Sequence, residues 1–204
     1  HDRLHLTSET KILEIGSNDG TLLAFLKEHT PNVLGVDPAR NLLAMNAERG
    51  VEMVPAFFNT ATAKELRATR GMFDVIVALN VIPHTPGVVD LLRAVHDTLS
   101  PKGTLVMEGA YAIETILRGE FDTIYHEHVY TFSLHALQRT FARAGMRVVD
   151  VEQIPTQGGS LRIFATREED GLPVRDSVPR LLAEEERKGL ANPQTYAQVE
   201  RKVL

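Results

Sequence analysis

The chain has 204 residues, of which 43% are hydrophobic and 24% are charged, and its formal net charge is -5. This length and composition predict a globular protein with one domain and room for part of another, and they argue against intrinsic disorder. The acidic balance and the lack of Lys or Arg runs argue against nucleic acid as a partner. The absence of cysteine excludes disulfides, a thiolate nucleophile and cysteine zinc sites within this chain.

No apolar run approaches the roughly 20 residues that a membrane-spanning helix needs, and the N-terminus lacks the pattern of a signal peptide. We therefore expect a cytoplasmic protein with no membrane partner. Because the chain begins at His1 and not at Met, we also expect it to be an excised piece of something longer.

From Lys11 onward, short apolar runs alternate with amphipathic stretches, which is the pattern of a mostly parallel sheet with helices on both faces. The predicted strands are Lys11–Ile15, Val33–Val36, Glu52–Val54, Phe73–Ala78, Gly103–Glu108, Arg147–Gln153 and Leu161–Thr166. The predicted helices are Gly20–Glu28, Ala39–Glu48, Thr60–Thr69, Val88–Leu99 and Leu134–Ala144. The turn-rich stretch between the last two strands predicts an antiparallel hairpin, so the last strand of the α/β sheet runs against the others.

The composition changes after Thr166, where a charged, amphipathic stretch begins. We expect a cofactor-binding domain over residues 1–166 and a charged helical extension over residues 167–204. That extension is either a solvated terminal helix or a connector to a missing domain.

A Gly-rich turn follows the first strand, in the sequence Leu13-Glu-Ile-Gly-Ser-Asn-Asp-Gly-Thr21. Glycine lets the backbone approach a ligand closely, and Asp37 follows Gly16 at about the 20-residue spacing of a carboxylate that binds ribose hydroxyls. The carboxyl ends of the next strands add further candidates. The predicted cofactor-binding residues are Glu14, Gly16, Ser17, Asn18, Gly20, Asp37, Pro38, Phe58 and Asn80.

The polar and acidic residues in this turn favour S-adenosylmethionine over a dinucleotide. A nicotinamide site prefers Gly-x-Gly-x-x-Gly, and Asp19 would repel a pyrophosphate. Polar side chains can instead bind the amino and carboxyl groups of a methionine moiety. A ligand-free structural turn remains the alternative.

A second cluster, Tyr125-His-Glu-His128, lies in the crossing between the fifth strand and the last predicted helix. Several ionisable groups in a row are costly to bury without a purpose, and His84 adds an imidazole near Asn80 at the same sheet edge. Three interpretations are open: acid–base chemistry, a structural loop, or a divalent metal bound by His126 and His128. Adjacent positions do not easily point at one ion, and no further ligand is apparent, so we predict no metal.

These motifs resemble the sugar C-methyltransferases, which have the class I methyltransferase fold. The resemblance rests on the Gly-rich turn, Gly35-Val-Asp-Pro-Ala39, Asn80-Val-Ile-Pro-His84, Phe121-Asp-Thr-Ile-Tyr-His-Glu-His128 and Gly158-Gly-Ser-Leu-Arg162. Enzymes of that family methylate carbon 3 of 4-keto-deoxyhexoses carried on dTDP, with S-adenosylmethionine as the cofactor.

The resemblance implies a base that removes the acidic proton next to a ketone, after which the carbon attacks a methyl group. It implies that His128 is this base and that Glu127 orients an imidazole. Tyr125 and His84 would donate hydrogen bonds to the enolate oxygen or to a neighbouring hydroxyl, and His126 completes the predicted catalytic set.

The family's zinc-bearing N-terminal domain and its C-terminal domain are missing from this chain, although the segment after Thr166 resembles the beginning of the latter. Gln157 also stands where the family more often has His, and Pro83 lies beside His84. A carrier-bound keto intermediate, an O- or N-methyltransferase, and a non-catalytic module that binds the cofactor are therefore alternatives to the nucleotide sugar.

Overall fold

The computed structural model of the protein describes residues 4–118, 126–190 and 192–195. Seven strands form one sheet in the order β3-β2-β1-β4-β5-β7-β6. The strands are β1 (Ile12–Ile15), β2 (Val33–Val36), β3 (Glu52–Val54), β4 (Phe73–Leu79), β5 (Leu99–Ala110), β6 (Met146–Ile154) and β7 (Ser160–Arg167).

Helices cover this sheet and connect most of its strands. They are α1 (Thr21–Leu26), α2 (Leu43–Glu48), α3 (Thr60–Arg70), α4 (Val88–Thr98), α5 (Ala112–Arg118), α6 (Leu134–Ala142) and α7 (Ser177–Arg187). Short 3₁₀ turns lie at Arg40–Leu42, Ile82–His84, Thr156–Gly158 and Glu168–Asp170. No helix within the described ranges has both the length and the apolar character to cross a membrane.

The first five strands pair in parallel, whereas β7 runs antiparallel to both β5 and β6. This arrangement confirms the predicted α/β fold with an antiparallel last strand and the predicted hairpin between β6 and β7. The start of β7 therefore lies beside the carboxyl end of β5, where Ser160 pairs with Ala110. Polar residues at the start of β7 thus share an edge with those that follow β1 and β4.

The central strands are mostly apolar because both faces of the sheet are covered. In β1, Leu13 and Ile15 belong to one buried cluster, and Ile12 belongs to a second cluster on the opposite face. Glu14 is the exception in this strand, since it is 5% exposed and shares the face of Ile12.

Two elements differ from the sequence predictions. Helix α5 lies in a stretch where no helix was predicted, and its formation is supported by burial of Ile113. Strand β5 begins at Leu99, before the predicted strand start at Gly103, because Leu99 already pairs with Phe73 across an irregularity in the register. The Ser-Pro-Lys-Gly sequence between the predicted helix and strand favours a turn, and pairing with β4 overrides it.

The C-terminal helix α7 is only partly solvated. Val178, Leu181 and Glu185 are buried on one of its faces, which packs against β6 and α6. Within the described residues, helix α7 therefore has one covered face and one solvated face. An amphipathic charge pattern alone does not tell a covered helix from an exposed one.

Candidate active site

The Gly-rich turn after β1 depends on glycine at two positions. Gly16 and Gly20 have φ values of 71° and 77°, in the region that residues with a Cβ rarely adopt. A Cβ added to Gly16 would also lie 2.5 Å from Cγ2 of Val81, on the segment that follows β4. The bare backbone at Gly16 thus allows the ends of β1 and β4 to approach one another.

A buried asparagine holds this turn in place, and the sequence analysis missed it. The Asn46 side chain on α2 is 1% exposed, and its Nδ2 donates to the carbonyls of Asn18 (2.8 Å) and Leu42 (3.0 Å). Asparagine is unfavourable in a helix interior, and its presence there was the one available signal.

Asp37 is positioned directly beside the turn. Its two carboxylate oxygens accept hydrogen bonds from the backbone N–H groups of Asn18 (3.0 Å) and Ala39 (2.8 Å). The two bonds fix the carboxylate at the carboxyl end of β2, where a bound ribose would meet it.

Glu14 lies in the sheet beneath this turn and has an unusual protonation equilibrium. Burial raises its pKa from 4.5 to about 8, and the charges of Asp19 and Asp37 add to the effect. Its Oε2 atom has no hydrogen-bond partner among the described residues. Asp19 and Asp37 therefore make this site suited to a cationic ligand and hostile to a pyrophosphate, whereas the raised pKa keeps Glu14 largely protonated near neutral pH.

This carboxyl group should make stability depend on pH. A carboxyl group whose pKa is raised by folding stabilises the native state fully at pH values below its unfolded pKa of 4.5. That contribution is lost as the pH rises through the folded pKa of about 8. We expect Glu14→Gln to unfold at higher denaturant than the wild type at about pH 8.5, with a smaller difference at about pH 5. Glu48→Gln, on the exposed end of α2, is the matched control. Equal pH dependence of urea unfolding in wild type and Glu14→Gln would contradict this account.

A cavity of about 290 Å³ opens between the carboxyl ends of β1, β2 and β4. Its lining includes Gly16, Pro38, Phe57, Phe58, Asn80 and His84. Phe58 is 7% exposed and belongs to the core, whereas Phe57 is 73% exposed, so the latter is the freer ring for stacking.

The residues around this cavity fit S-adenosylmethionine. The Ser17 hydroxyl, in the turn next to the cavity, is buried and has no hydrogen-bond partner among the described residues, so a polar partner is needed there. Asp37 offers oxygens to ribose hydroxyls, and the carboxyl groups near the turn suit a sulfonium cation. The predicted cofactor-binding residues thus lie on or beside one turn and one cavity.

His84 and His128 are brought together from positions 44 residues apart in the chain. Their ring centroids are 4.8 Å apart with an interplanar angle of 56°, and Nδ1 of His84 lies 2.9 Å from the carbonyl oxygen of Glu127. Two backbone N–H groups, of Val129 and Tyr130, donate to the Pro83 carbonyl and fix the two segments against each other. Since His84 also lines the cavity, the imidazole pair lies at its mouth.

The other members of the predicted catalytic set are placed differently. The side chains of His126 and Glu127 are 89% and 63% exposed, and His126 Nε2 lies 3.7 Å from Glu127 Oε1. It is the backbone carbonyl of Glu127, and not its carboxylate, that contacts His84. Tyr125 lies outside the described residues. Within those residues, no group of three or more His, Asp or Glu side chains is arranged to hold a metal ion.

An ion pair at the same sheet edge, between a buried carboxylate and a partly exposed arginine, was also missed. Glu108 on β5 and Arg162 on β7 pair across the strands, with Arg162 Nε 2.5 Å from Glu108 Oε1. The Glu108 carbonyl accepts the backbone N–H of Asn80, whose φ of 55° is tolerated by asparagine. The pair therefore links the edge of β7 to the backbone of a cavity residue.

Comparison with known proteins identifies the domain. A family described as "Methyltransferase domain" matches residues 2–151. The chain belongs to this methyltransferase family. Membership confirms the predicted enzyme class, a methyltransferase, and with it S-adenosylmethionine as the cofactor. A second family, described as "C-methyltransferase C-terminal domain", matches residues 155–204.

Individual relatives of this chain are also methyltransferases. The C-methyltransferase NovU of Streptomyces niveus is 36% identical over 195 residues, which are 96% of this chain and 46% of NovU. A ubiquinone biosynthesis O-methyltransferase of Azorhizobium caulinodans is 31% identical over 98 residues, or 48% of this chain and 39% of the relative. This chain therefore spans less than half the length of these relatives.

Solved structures share the fold at low sequence identity. The putative methyltransferase solved with the Haloferax volcanii activator Trm112 has a TM-score of 0.65 at 13% identity, covering 81% of this chain and 86% of that one. Magnesium protoporphyrin IX methyltransferase from Synechocystis has a TM-score of 0.61 at 13% identity, covering 81% and 77%. These neighbours confirm the predicted class I methyltransferase fold.

Proposed function

We propose that this chain is the catalytic core of a C-methyltransferase that methylates a carbon next to a ketone, on a nucleotide-linked keto-deoxysugar. The observation that carries the proposal is the His84–His128 pair, 4.8 Å between ring centroids, at the mouth of the cofactor cavity. Unactivated carbon needs a base before it can attack a methyl group, whereas many O- and N-acceptors are already nucleophilic. The identity to NovU, a C-methyltransferase, supports carbon as the acceptor atom.

The cofactor would be held by the Gly-rich turn, by Asp37 at the ribose and by Phe57 or Phe58 near the adenine. When bound, S-adenosylmethionine supplies an electrophilic methyl group. Gly16 and Asn80 line the cavity between this turn and the histidines. In this proposal they orient the reacting groups of the cofactor and the acceptor toward His84.

His128 acts as the base in this proposal. A ketone makes the neighbouring C–H acidic, and a neutral imidazole removes that proton and leaves an enolate whose carbon is the nucleophile. An imidazole ordinarily has a pKa close to neutral pH, which is why histidine is a common general base in enzymes. The enolate oxygen then needs a donor close by.

We assign His84 as the donor to the enolate oxygen, on the basis of its hydrogen bond with the Glu127 carbonyl. Because Nδ1 faces a carbonyl oxygen at 2.9 Å, this nitrogen carries the proton. Neutral His84 therefore presents a lone pair at Nε2, and only the imidazolium form donates from both nitrogens. We propose that His84 works as an imidazolium that donates to the enolate oxygen while neutral His128 takes the proton.

A second candidate function is O-methyl transfer, which is favoured by the ubiquinone O-methyltransferase among the relatives. Its match covers 48% of this chain. We prefer carbon as the acceptor atom because the match to NovU covers 96% of this chain, including the segment that carries His128.

We also propose that residues 167–204 lead into a further domain that contributes to the acceptor site. The match of residues 155–204 to a C-terminal domain of C-methyltransferases supports this. Strand β7 falls within that match and is at the same time part of the sheet.

The acceptor class is tested by a transfer assay with radiolabelled methyl groups. The chain is given a dTDP-4-keto-6-deoxysugar or a β-ketoacyl thioester under the same conditions, and label in each acceptor is counted. We expect label in the sugar. Label only in the thioester would move the acceptor to a carrier-bound keto intermediate, and label in neither, with S-adenosylhomocysteine bound, would contradict the proposed acceptor.

A further inference from the structure

Pro83 is a buried residue that lies directly before His84 and touches the segment that carries His128. Its carbonyl oxygen accepts the backbone N–H groups of Val129 at 2.9 Å and Tyr130 at 3.3 Å. The proline ring fixes φ at this residue, which restricts the directions in which the carbonyl can point. One residue thus joins the two segments that carry the histidines.

The ring of Pro83 rests on a glycine of the sheet. A Cβ built on Gly109, in β5, would lie 3.1 Å from Cγ and 3.6 Å from Cδ of Pro83. Gly109 pairs in register with Leu161 of β7 and does not have a positive φ, so its backbone conformation does not require glycine. The absence of a side chain at this position therefore serves the close approach of the proline ring.

The chain after His128 has a second anchor on the sheet. Phe132 forms a parallel bridge with Tyr111, directly after β5, and its carbonyl accepts the backbone N–H of Ala112 at 2.9 Å. The Phe132 ring is buried. This part of the chain is therefore held on the sheet even when Pro83 moves.

We propose that Pro83 is a positioning residue, which sets the geometry of the His84–His128 pair through its contact with Gly109. If Pro83 is pushed away from Gly109, it moves His84, the next residue, while the chain after His128 keeps its own anchor. The two imidazoles, 4.8 Å apart between centroids, then lose their relative position. The inference rests on the proposed function, because it assumes that both imidazoles act on one acceptor.

The variant Gly109→Ala tests this role, because its added methyl group displaces Pro83 by a few tenths of an ångström. A misplacement of about 1 Å can cost about 10² in rate, so we expect kcat for a keto acceptor to fall about tenfold. The KM of the acceptor and the Kd of S-adenosylhomocysteine should change less than about twofold, since Gly109 does not line the cofactor cavity.

The double variant Gly109→Ala/Pro83→Ala separates positioning from general damage to the fold. Replacing the proline removes the Cγ and Cδ atoms that the new methyl group meets, so we expect most of the lost rate to return. Gly87→Ala is the matched control. It lies three residues after His84, its φ is -94°, and an added Cβ there meets no atom within 4 Å, so kcat should be unchanged.

NMR of the histidine rings follows the pair without turnover. The ring ¹H–¹³C signals of His84 and His128 are assigned with His84→Gln and His128→Gln and recorded with S-adenosylhomocysteine bound. We expect Gly109→Ala to shift both signals and the double variant to return them toward the wild-type positions. Pro83→Ala adds no volume, so it gives the same test if Gly109→Ala does not fold, and it should also shift the His84 signal.

Ring signals or a kcat that do not respond to Gly109→Ala would overturn the inference, as would a double variant that folds and regains no rate. Unshifted signals in Pro83→Ala would have the same meaning. These results leave the proposed function standing if the wild type methylates a ketone. If the ring signals respond as expected while the wild type methylates no ketone, Pro83 does position the histidines and the proposed function fails.

Discussion

Replacing His128 by Ala should lower the rate of methyl transfer by a factor of about 10² to 10⁴, the usual contribution of a positioned base. Affinity for S-adenosylhomocysteine should change little, because the cofactor cavity is lined by residues of the β1, β2 and β4 ends and not by His128. The specific readout is exchange of the acceptor's α-proton with deuterated water in the presence of S-adenosylhomocysteine. We expect this exchange to be abolished in His128→Ala.

The matched control for this variant is His135→Ala, which removes an exposed imidazole on α6. It should retain both exchange and transfer. Proton exchange distinguishes a base from a residue that merely shapes the segment, because a misplaced acceptor would lose binding as well as exchange. Turnover of His128→Ala within a few fold of the wild type would refute the assignment of the base.

The second large effect concerns Glu185, which joins the C-terminal helix to α6. This carboxylate is 2% exposed and accepts the backbone N–H groups of Leu134 (2.6 Å) and His135 (2.9 Å). It therefore caps α6 at its N-terminus from a position about 50 residues further along the chain, where a negative charge also suits the helix dipole. Burial and the nearby Glu185 raise the pKa of Tyr111, so the phenol of Tyr111 stays protonated beside this carboxylate.

Glu185→Ala leaves two N–H groups without their acceptor in buried surroundings. At about 1–3 kcal/mol for each of the two unsatisfied groups, the free energy of unfolding should fall by roughly 2–6 kcal/mol. Glu185→Gln keeps one acceptor oxygen and should lose less. Chemical denaturation followed by circular dichroism gives the comparison, with the exposed neighbour Glu186→Ala as the control. A loss below about 0.5 kcal/mol for Glu185→Ala would show that α7 does not stabilise α6.

The sheet was largely predictable because its signals are local. Strands β2 and β3 have the predicted bounds, since short buried runs between turn residues are read directly from the sequence. Helix α5 was missed because its seven residues depend on packing against the core, where Ile113 is buried. The start of β5 was missed because pairing with Phe73 extends the strand through a Pro-Lys-Gly turn.

The same distinction, between local sequence signals and contacts of distant segments, applies to the residues of the site. Gly16 and Asp37 follow from a spacing within one strand–helix–strand unit, so their predicted roles come directly from the sequence. The contact of Asn46 with Asn18 and that of Glu185 with α6 join distant segments, and no periodicity indicates them. The proximity of His84 to His128 was expected from the shared sheet edge, but the carbonyl contact that sets the His84 tautomer was not.

The position of the transferred methyl group tests the central claim most directly. The chain is incubated with S-adenosylmethionine labelled with ¹³C in its methyl group and with a dTDP-4-keto-6-deoxysugar, and the product is examined by two-dimensional NMR. We predict a methyl carbon bonded to the ring carbon next to the ketone, with loss of the proton from that carbon. A labelled methyl group on a hydroxyl oxygen, with the α-proton retained, would contradict carbon methylation and support the O-methyltransferase interpretation.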